Sequence, residues 1–288
     1  MSGTVLRAEN EQIAWIGSIP FFLVHLSPLL LIWTGIRWVD VVLCVALYFG
    51  RMFFISAGYH RYFAHRGYKM GRAMQFLMAF GGATAAQKGV LWWAGYHRHH
   101  HWYSDQREDI HSPKKGFFWS HVGWILCPKY NRSPVEVIED FSKYPELRWL
   151  DKYYLVPPAM LAGVCLWVGG PSALVGGFFL STVILFHGTF IVNSLTHLYG
   201  SRRYETTDTS RNSFLIALVT GGEGWHNNHH YYETTANNGF FWWEIDTSYY
   251  ALKVLSWLGL VWDLRLPPNY IIEGRRATFS DYGMEPPT

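Results

Sequence analysis

Fourteen histidines occur in this 288-residue chain, and most fall in three short clusters plus one isolated position. HRYFAH supplies His60 and His65, HRHHH supplies His97, His99, His100 and His101, and HNNHH supplies His226, His229 and His230, while His197 stands apart. In an α-helix, residues at i, i+3 and i+4 share a face, so each HxxHH pattern (97, 100, 101 and 226, 229, 230) aims three imidazoles one way. His60 and His65 are five apart, off a common α-helical face, and suit a helix end where the backbone changes direction. A single histidine is ordinarily a hydrogen-bonded core or surface group. Two HxxHH clusters and an HxxxxH in one apolar chain are a different matter, because neutral imidazole binds iron, zinc or copper and this many rings exceed one four-coordinate zinc. Two metal ions are implied, and the affinity order of divalent metals does not choose which.

Something must carry these clusters to one place. The chain is 50% hydrophobic and 16% charged, too apolar for an ordinary soluble domain, and its 18% aromatic content with 15 Trp suits anchoring at a membrane interface. No Asp, Glu, Lys or Arg occurs from Ile13 to Thr34, a helix of about 33 Å. Trp38 to Gly58 is a second span, with Asp40 near one end and Arg51 near the other, where Arg51 can snorkel toward water. Between Lys152 and Arg202 no acid or base occurs, which as one helix would be about 74 Å and must fold back. Gly169, Gly170, Pro171 and Ser172 supply the turn, predicting antiparallel spans at 153–168 and 173–195.

Four spans leave both termini on one side together with 59–152, which holds most of the 24 basic residues and is therefore cytosolic, as is 196–288. Met74 to Tyr96 reads as a shallow interfacial helix, given Gln87, Lys88 and its glycines, rather than a fifth crossing. The expected fold is a single all-α integral-membrane domain over 1–288: four transmembrane helices and a cytosolic helical cap carrying a histidine-bound di-metal site. A net charge of +3 gives no nucleic-acid footprint. Cys44, Cys127 and Cys165 form no CxxC pair and read as apolar filler. The polar, acid-containing start of the chain lacks a signal peptide's build.

HRYFAHR, HRHHH followed by GFFWSHVGW, NSLTHLYG and GEGWHNNHH resemble, in order and spacing, the blocks of the membrane fatty-acyl desaturases of the acyl-CoA delta-9 (stearoyl-CoA) type. The resemblance runs from about Phe49 to Leu264. It implies two iron ions held by His60, His65, His97, His100, His101, His197, His226, His229 and His230, with Asn193 reaching one metal through water. It further implies that O2 and two electrons remove two hydrogens from adjacent carbons of a long-chain acyl thioester, leaving a cis double bond. Acids such as Asp105, Glu108, Asp109, Asp208 and Glu223 are expected to hold the ring N–H groups. His99 points off the ligand face, His111 and His121 match positions that are not ligands, and His25 and His187 read as packing contacts within spans.

Identical methylenes offer no chemical handle, so the position of reaction must come from an apolar tunnel that measures the chain. The resemblance implies that Gln87, Trp93 and Thr189 line its bend and that Tyr48 and Met52 close its far end. Lys129 and Arg132 are candidate phosphate partners. The chain departs from the family's animal members in carrying Lys88, Gly95 and Tyr96 where an Asn and an Arg-Asp pair are expected. Acyl-CoA is the first choice of substrate, with acyl-carrier protein and phospholipid as alternatives. No stretch of about 100 residues is spare for a fused electron donor. A separate cytochrome b5 or ferredoxin with its reductase is expected, in a bacterial plasma membrane ahead of the endoplasmic reticulum. A membrane hydroxylase shares the first hydrogen abstraction and is the rival; a metal transporter or haem protein should place ligands at mid-bilayer depth inside spans.

Overall fold

The computed structural model describes residues 6–274; the end of the expected cytosolic segment, beyond 274, lies outside them. The protein is built from helices, with one short antiparallel pair, Lys69–Met70 against Val261–Trp262. We number the main helices α1 Ile19–Thr34, α2 Trp38–Ala64, α3 Arg72–Ala83, α4 Val90–Tyr103, α5 Pro145–Lys152, α6 Val156–Ser172, α7 Leu180–Ser194, α8 Phe214–Val219, α9 His226–Tyr231 and α10 Thr247–Trp257. Two helical runs, Trp38–Ala64 and Val156–His197, are long and apolar enough to cross a membrane. Large apolar side chains point outward along them, among them Trp167 at 86% exposure and Trp38 at 79%, a surface that water would not tolerate at this extent.

The first apolar stretch is shorter than expected. Residues 13–14 are irregular and 15–18 form a turn, and α1 starts at Ile19, where Pro20 can occupy the first helical turn without losing a bond. A 3-10 segment at Ser27–Leu30, opened by Pro28, divides it. By contrast α2 runs past the expected end at Gly58, continuing as a π-helix from Phe54 to Ala64. Arg51 therefore sits in mid-helix and does not snorkel: it is buried, and its guanidinium donates to Ser181 Oγ, Thr182 Oγ1 (2.7 Å) and the Leu47 carbonyl (3.0 Å). Those hydroxyls replace the water that the sequence reading assigned to it.

The long apolar run does reverse. Gly170 takes φ 73° and ψ −168°, outside the helical region, and Pro171 restarts the chain. α6 begins just after Tyr154, whose ring lies beside Lys88, and its unbroken part reaches Gly169, whose carbonyl accepts from Arg37 (2.7 Å) at the start of α2. A π segment, Ala173–Phe179, and then α7 return alongside α2. A Cβ on Gly177 would lie 2.6 Å from Leu43, so the absence of a side chain lets the two helices approach closely. The expected single interfacial helix at 74–96 is instead two helices, α3 and α4, parted by a connection in which Ala86 (φ 57°) and Lys88 (φ 69°) hold left-handed conformations.

Candidate metal centre

Four parts of the fold deliver the clustered histidines to one region. His60 and His65 come from the end of α2, and the π-helix explains how residues five apart can cooperate. The His65 N–H donates to the His60 carbonyl (3.2 Å), the i to i+5 bond that stacks such positions, and the two rings lie 4.9 Å apart. His97, His100 and His101 project from α4, His226, His229 and His230 from α9, and His197 from the 3-10 turn that ends α7.

The rings sort into two groups, each able to hold a metal ion: His60, His65, His97, His101 and His229 in one, His100, His197, His226 and His230 in the other. Within the first, Nε2 atoms approach one another at 3.0 Å in the pairs His60–His229, His97–His101 and His101–His229. In the second, His197 and His226 are 3.1 Å apart at Nε2. Two nitrogens each about 2.1 Å from one ion and at right angles about it would be about 3.0 Å apart. The buried Nε2 atoms of His65, His100 and His230 have no hydrogen-bond partner among the described residues, a costly arrangement unless something else occupies their lone pairs. Both observations fit a pair of bound metal ions.

Carboxylates stand behind the rings. Nδ1 of His60 is 2.6 Å from Glu223, Nδ1 of His230 is 2.6 Å from Asp208, and Nδ1 of His100 is 2.9 Å from Asp109. His197 Nδ1 is 3.4 Å from Asp105. An Nδ1–H given to an acid leaves the Nε2 lone pair facing inward. Burial alone would raise Glu223, but its contacts with His60 and Arg61 more than offset it and bring it to about 2. Asp208 is likewise held far below the usual carboxylate range by His230 and Ser210, against the opposing effect of burial. Burial, reinforced by neighbouring rings, pushes His65, His97, His226 and His229 well below the ordinary histidine value, so at neutral pH they offer free lone pairs.

Glu108 is exposed and stands behind no ring of either group, unlike the other four acids. Its place is taken by Glu233, which no motif pointed to: its Oε2 is 2.9 Å from His101 Nδ1 and 3.7 Å from His65 Nδ1. The signal was its position three residues after His230, within reach of that cluster's partners. Arg61 was also missed. Fully buried, it bonds Glu223 and both oxygens of Asp246, and so ties the acid behind His60 to the start of α10.

His99 belongs to neither group; its ring is 4.8 Å from Tyr103. The His111 ring lies tilted against that of His100 at 4.2 Å, and with His100 and Asp109 it forms a smaller cluster. His25 donates from Nδ1 to the Phe21 carbonyl (2.8 Å), and His187 meets His121 across 3.0 Å.

A cavity of about 340 Å³ adjoins the first group at His60 and His97. Met52, Gln87, Trp93, Thr189 and Asn193 line it; Tyr48 does not, standing behind Met52 with its hydroxyl on the Val219 carbonyl (2.7 Å). Lys129 and Arg132 do not line it either, and the Lys129 ammonium is 3.6 Å from Glu11. Glu11 also accepts from Lys115 (2.8 Å) and Tyr130, pinning residues 8–18 as a strap whose Ala14, Gly17 and Ser18 form one cavity wall.

Comparison with known proteins agrees with this geometry. The family model described as fatty acid desaturase matches residues 36–253. The "sn-1 stearoyl-lipid 9-desaturase" of Anabaena variabilis is 34% identical, the match covering 91% of this chain and 98% of that protein. The "sn-2 palmitoyl-lipid 9-desaturase" of Nostoc sp. (strain 36) is 36% identical over 88% and 91%, and the "Acyl-CoA C20 Delta5-desaturase" of Anemone leveillei 35% over 85% and 79%. The chain is an oxidoreductase that belongs to the fatty acid desaturase family.

Proposed function

We propose that this protein uses two iron ions and O2 to place a cis double bond, at the delta-9 position, in a long saturated acyl chain. The carrying observation is the convergence of nine imidazoles in two groups, backed by acids, against an apolar cavity. The relatives named as 9-desaturases support the position, and the one named as a Delta5-desaturase shows that it varies among similar chains. When bound, the irons would supply the redox chemistry that a methylene requires, since no side chain can deprotonate it. Two hydrogens from adjacent carbons, with two electrons and two protons from a separate cytochrome b5 or ferredoxin, balance the reduction of O2 to two waters.

The chain's own residues hold and aim. His60, His65, His97, His101 and His229 would hold one iron, and His100, His197, His226 and His230 the other, with Asn193, which lines the same cavity as His60 and His97, reaching one iron through water. Glu223, Asp109, Asp105, Asp208 and Glu233 fix ring orientation. Met52, Trp93, Gln87 and Thr189 exclude water and set which methylenes lie beside His60 and His97. Four crossings by α1, α2, α6 and α7, with both histidine-bearing ends on the cytosolic side of a bacterial plasma membrane, fit the outward apolar surface and the basic segment between α2 and α6.

Expression in a host that lacks unsaturated fatty acids, followed by gas chromatography of its lipids, tests this. A new monoene that disappears in His229→Ala and His230→Ala is the expected result. A hydroxylated product, having gained oxygen rather than lost two hydrogens, would replace desaturation by hydroxylation.

A further inference from the structure

The cavity's rim differs from its interior. Lining residues that reach the outside are Gly17 and Pro20 on one side and Asn131 and Leu155 on the other. Beside them in the chain stand side chains with no reason to face water: Trp15 at 61% exposure, Ile16 at 85% and Leu155 itself at 61%. Trp and Tyr at such a rim, here Trp15 and Tyr153, are the usual markers of a membrane surface. The opening therefore faces the level of lipid head groups, at the junction of the strap, α1 and the start of α6.

Its charge is also specific. Among the described residues, Lys88 is the only lysine or arginine that lines the cavity. Its ammonium donates to Asn131 Oδ1 (3.2 Å), lies over the Tyr154 ring (5.2 Å), and has no carboxylate within ion-pair distance among the described residues. The left-handed backbone at Ala86 and Lys88 holds it there, a conformation that side-chain-bearing residues rarely keep without a structural or functional reason. Lys115 and Lys129, which could have added charge on the strap side, are both occupied by Glu11. One ammonium and one amide match a single phosphodiester; a coenzyme carrying a diphosphate and a further phosphate calls for more cations.

We propose that this chain takes its acyl group from an intact membrane glycerophospholipid, which slides in from the bilayer surface between Pro20 and Leu155 while Lys88 and Asn131 meet its phosphate. The proposal rests on the desaturase reading and names its acyl carrier. Lys88 is then the residue that selects the carrier, and the histidine groups work on a chain still esterified to glycerol.

Photolabelling separates this from the desaturation test, because labelling needs no turnover. The full chain in nanodiscs is exposed to phosphatidylglycerol bearing a diazirine in its acyl chain, or to acyl-CoA bearing the same acyl group, and labelled peptides are mapped by mass spectrometry. The lipid probe is expected to label cavity peptides containing Met52 and Thr189 as well as the outer surface at Trp167, and the CoA probe to leave the cavity peptides unlabelled. Lys88→Gln should lower cavity labelling roughly tenfold, with Trp167 labelling unchanged as the control for folding, and Lys88→Arg should restore it. Cavity labelling by the CoA probe at or above the level of the lipid probe, or lipid labelling confined to Trp167, overturns the proposal. Unchanged cavity labelling in Lys88→Gln overturns the role of Lys88, and equal labelling by a lipid with an uncharged sugar head would remove the phosphate from it.

Discussion

Replacing Met52 by alanine should lengthen the acyl chains that react. Met52 is 2% exposed, lines the cavity, and has its terminal methyl 3.0 Å from where a Cβ on Gly188 would be. Behind it Tyr48 is fixed by its bond to the Val219 carbonyl, so the wall one layer further out stays in place. The substitution deletes three non-hydrogen atoms and leaves room for about two more methylenes, if the wall does not collapse. Each methylene that becomes buried gains about 0.8 kcal/mol, so two gain about 1.6 kcal/mol, or roughly a fifteenfold rise in preference for the longer chain. The assay is competition between saturated chains two carbons apart in the unsaturated-fatty-acid-deficient host, with the ratio of monoene products read by gas chromatography. An unchanged ratio at normal protein levels would refute the placement of Met52 at the end of the tunnel. A ratio shifted toward shorter chains would show that the wall collapsed inward.

Three further outcomes follow from the contacts. Glu233→Ala removes the acid shared by His101 and His65 and should weaken metal binding about 10- to 100-fold, measured by chelator competition with the purified protein. A Cβ on Gly82 would lie 2.2 Å from the ring of buried Tyr59, so Gly82→Ala should cost about 1–3 kcal/mol and lower the thermal midpoint in detergent. Burial would raise Glu11, but its bonds from Lys115 and Tyr130 outweigh this and hold it below its usual value. A depressed carboxylate stabilises the fold above its unfolded value of 4.5 and loses that contribution as pH falls through its folded value. The protection of amides over residues 8–17, relative to the unstructured exchange rate at the same pH, should therefore fall on acidification below pH 4.5, and Glu11→Gln should show the lower protection at neutral pH.

Much of the site was legible because helical spacing is a geometric constraint. HxxHH on α4 and α9 could only present its rings together, and the resemblance named the same nine residues that the fold gathers. The turn at Gly170 was visible because an apolar run of that length cannot stay straight. What escaped was set by tertiary contacts. Nothing local announces a π-helix, so the pairing of His60 with His65 could be placed only at a helix end, and the burial of Arg51 depends on two hydroxyls 130 residues away. Glu233, Arg61 and the Glu11 latch carry no motif, since each is defined by its partner across the fold. Lys129 looked available for phosphate because its neighbour Glu11 is distant in sequence.

Under the proposed function, each of the two histidine groups holds one iron ion. Iron content of the purified protein, measured by inductively coupled plasma mass spectrometry, addresses it directly. Two irons per chain are expected, with about one lost in His229→Ala, from the five-ring group, and about one in His226→Ala, from the four-ring group. One iron in the parent protein, or two that survive both substitutions, would contradict it.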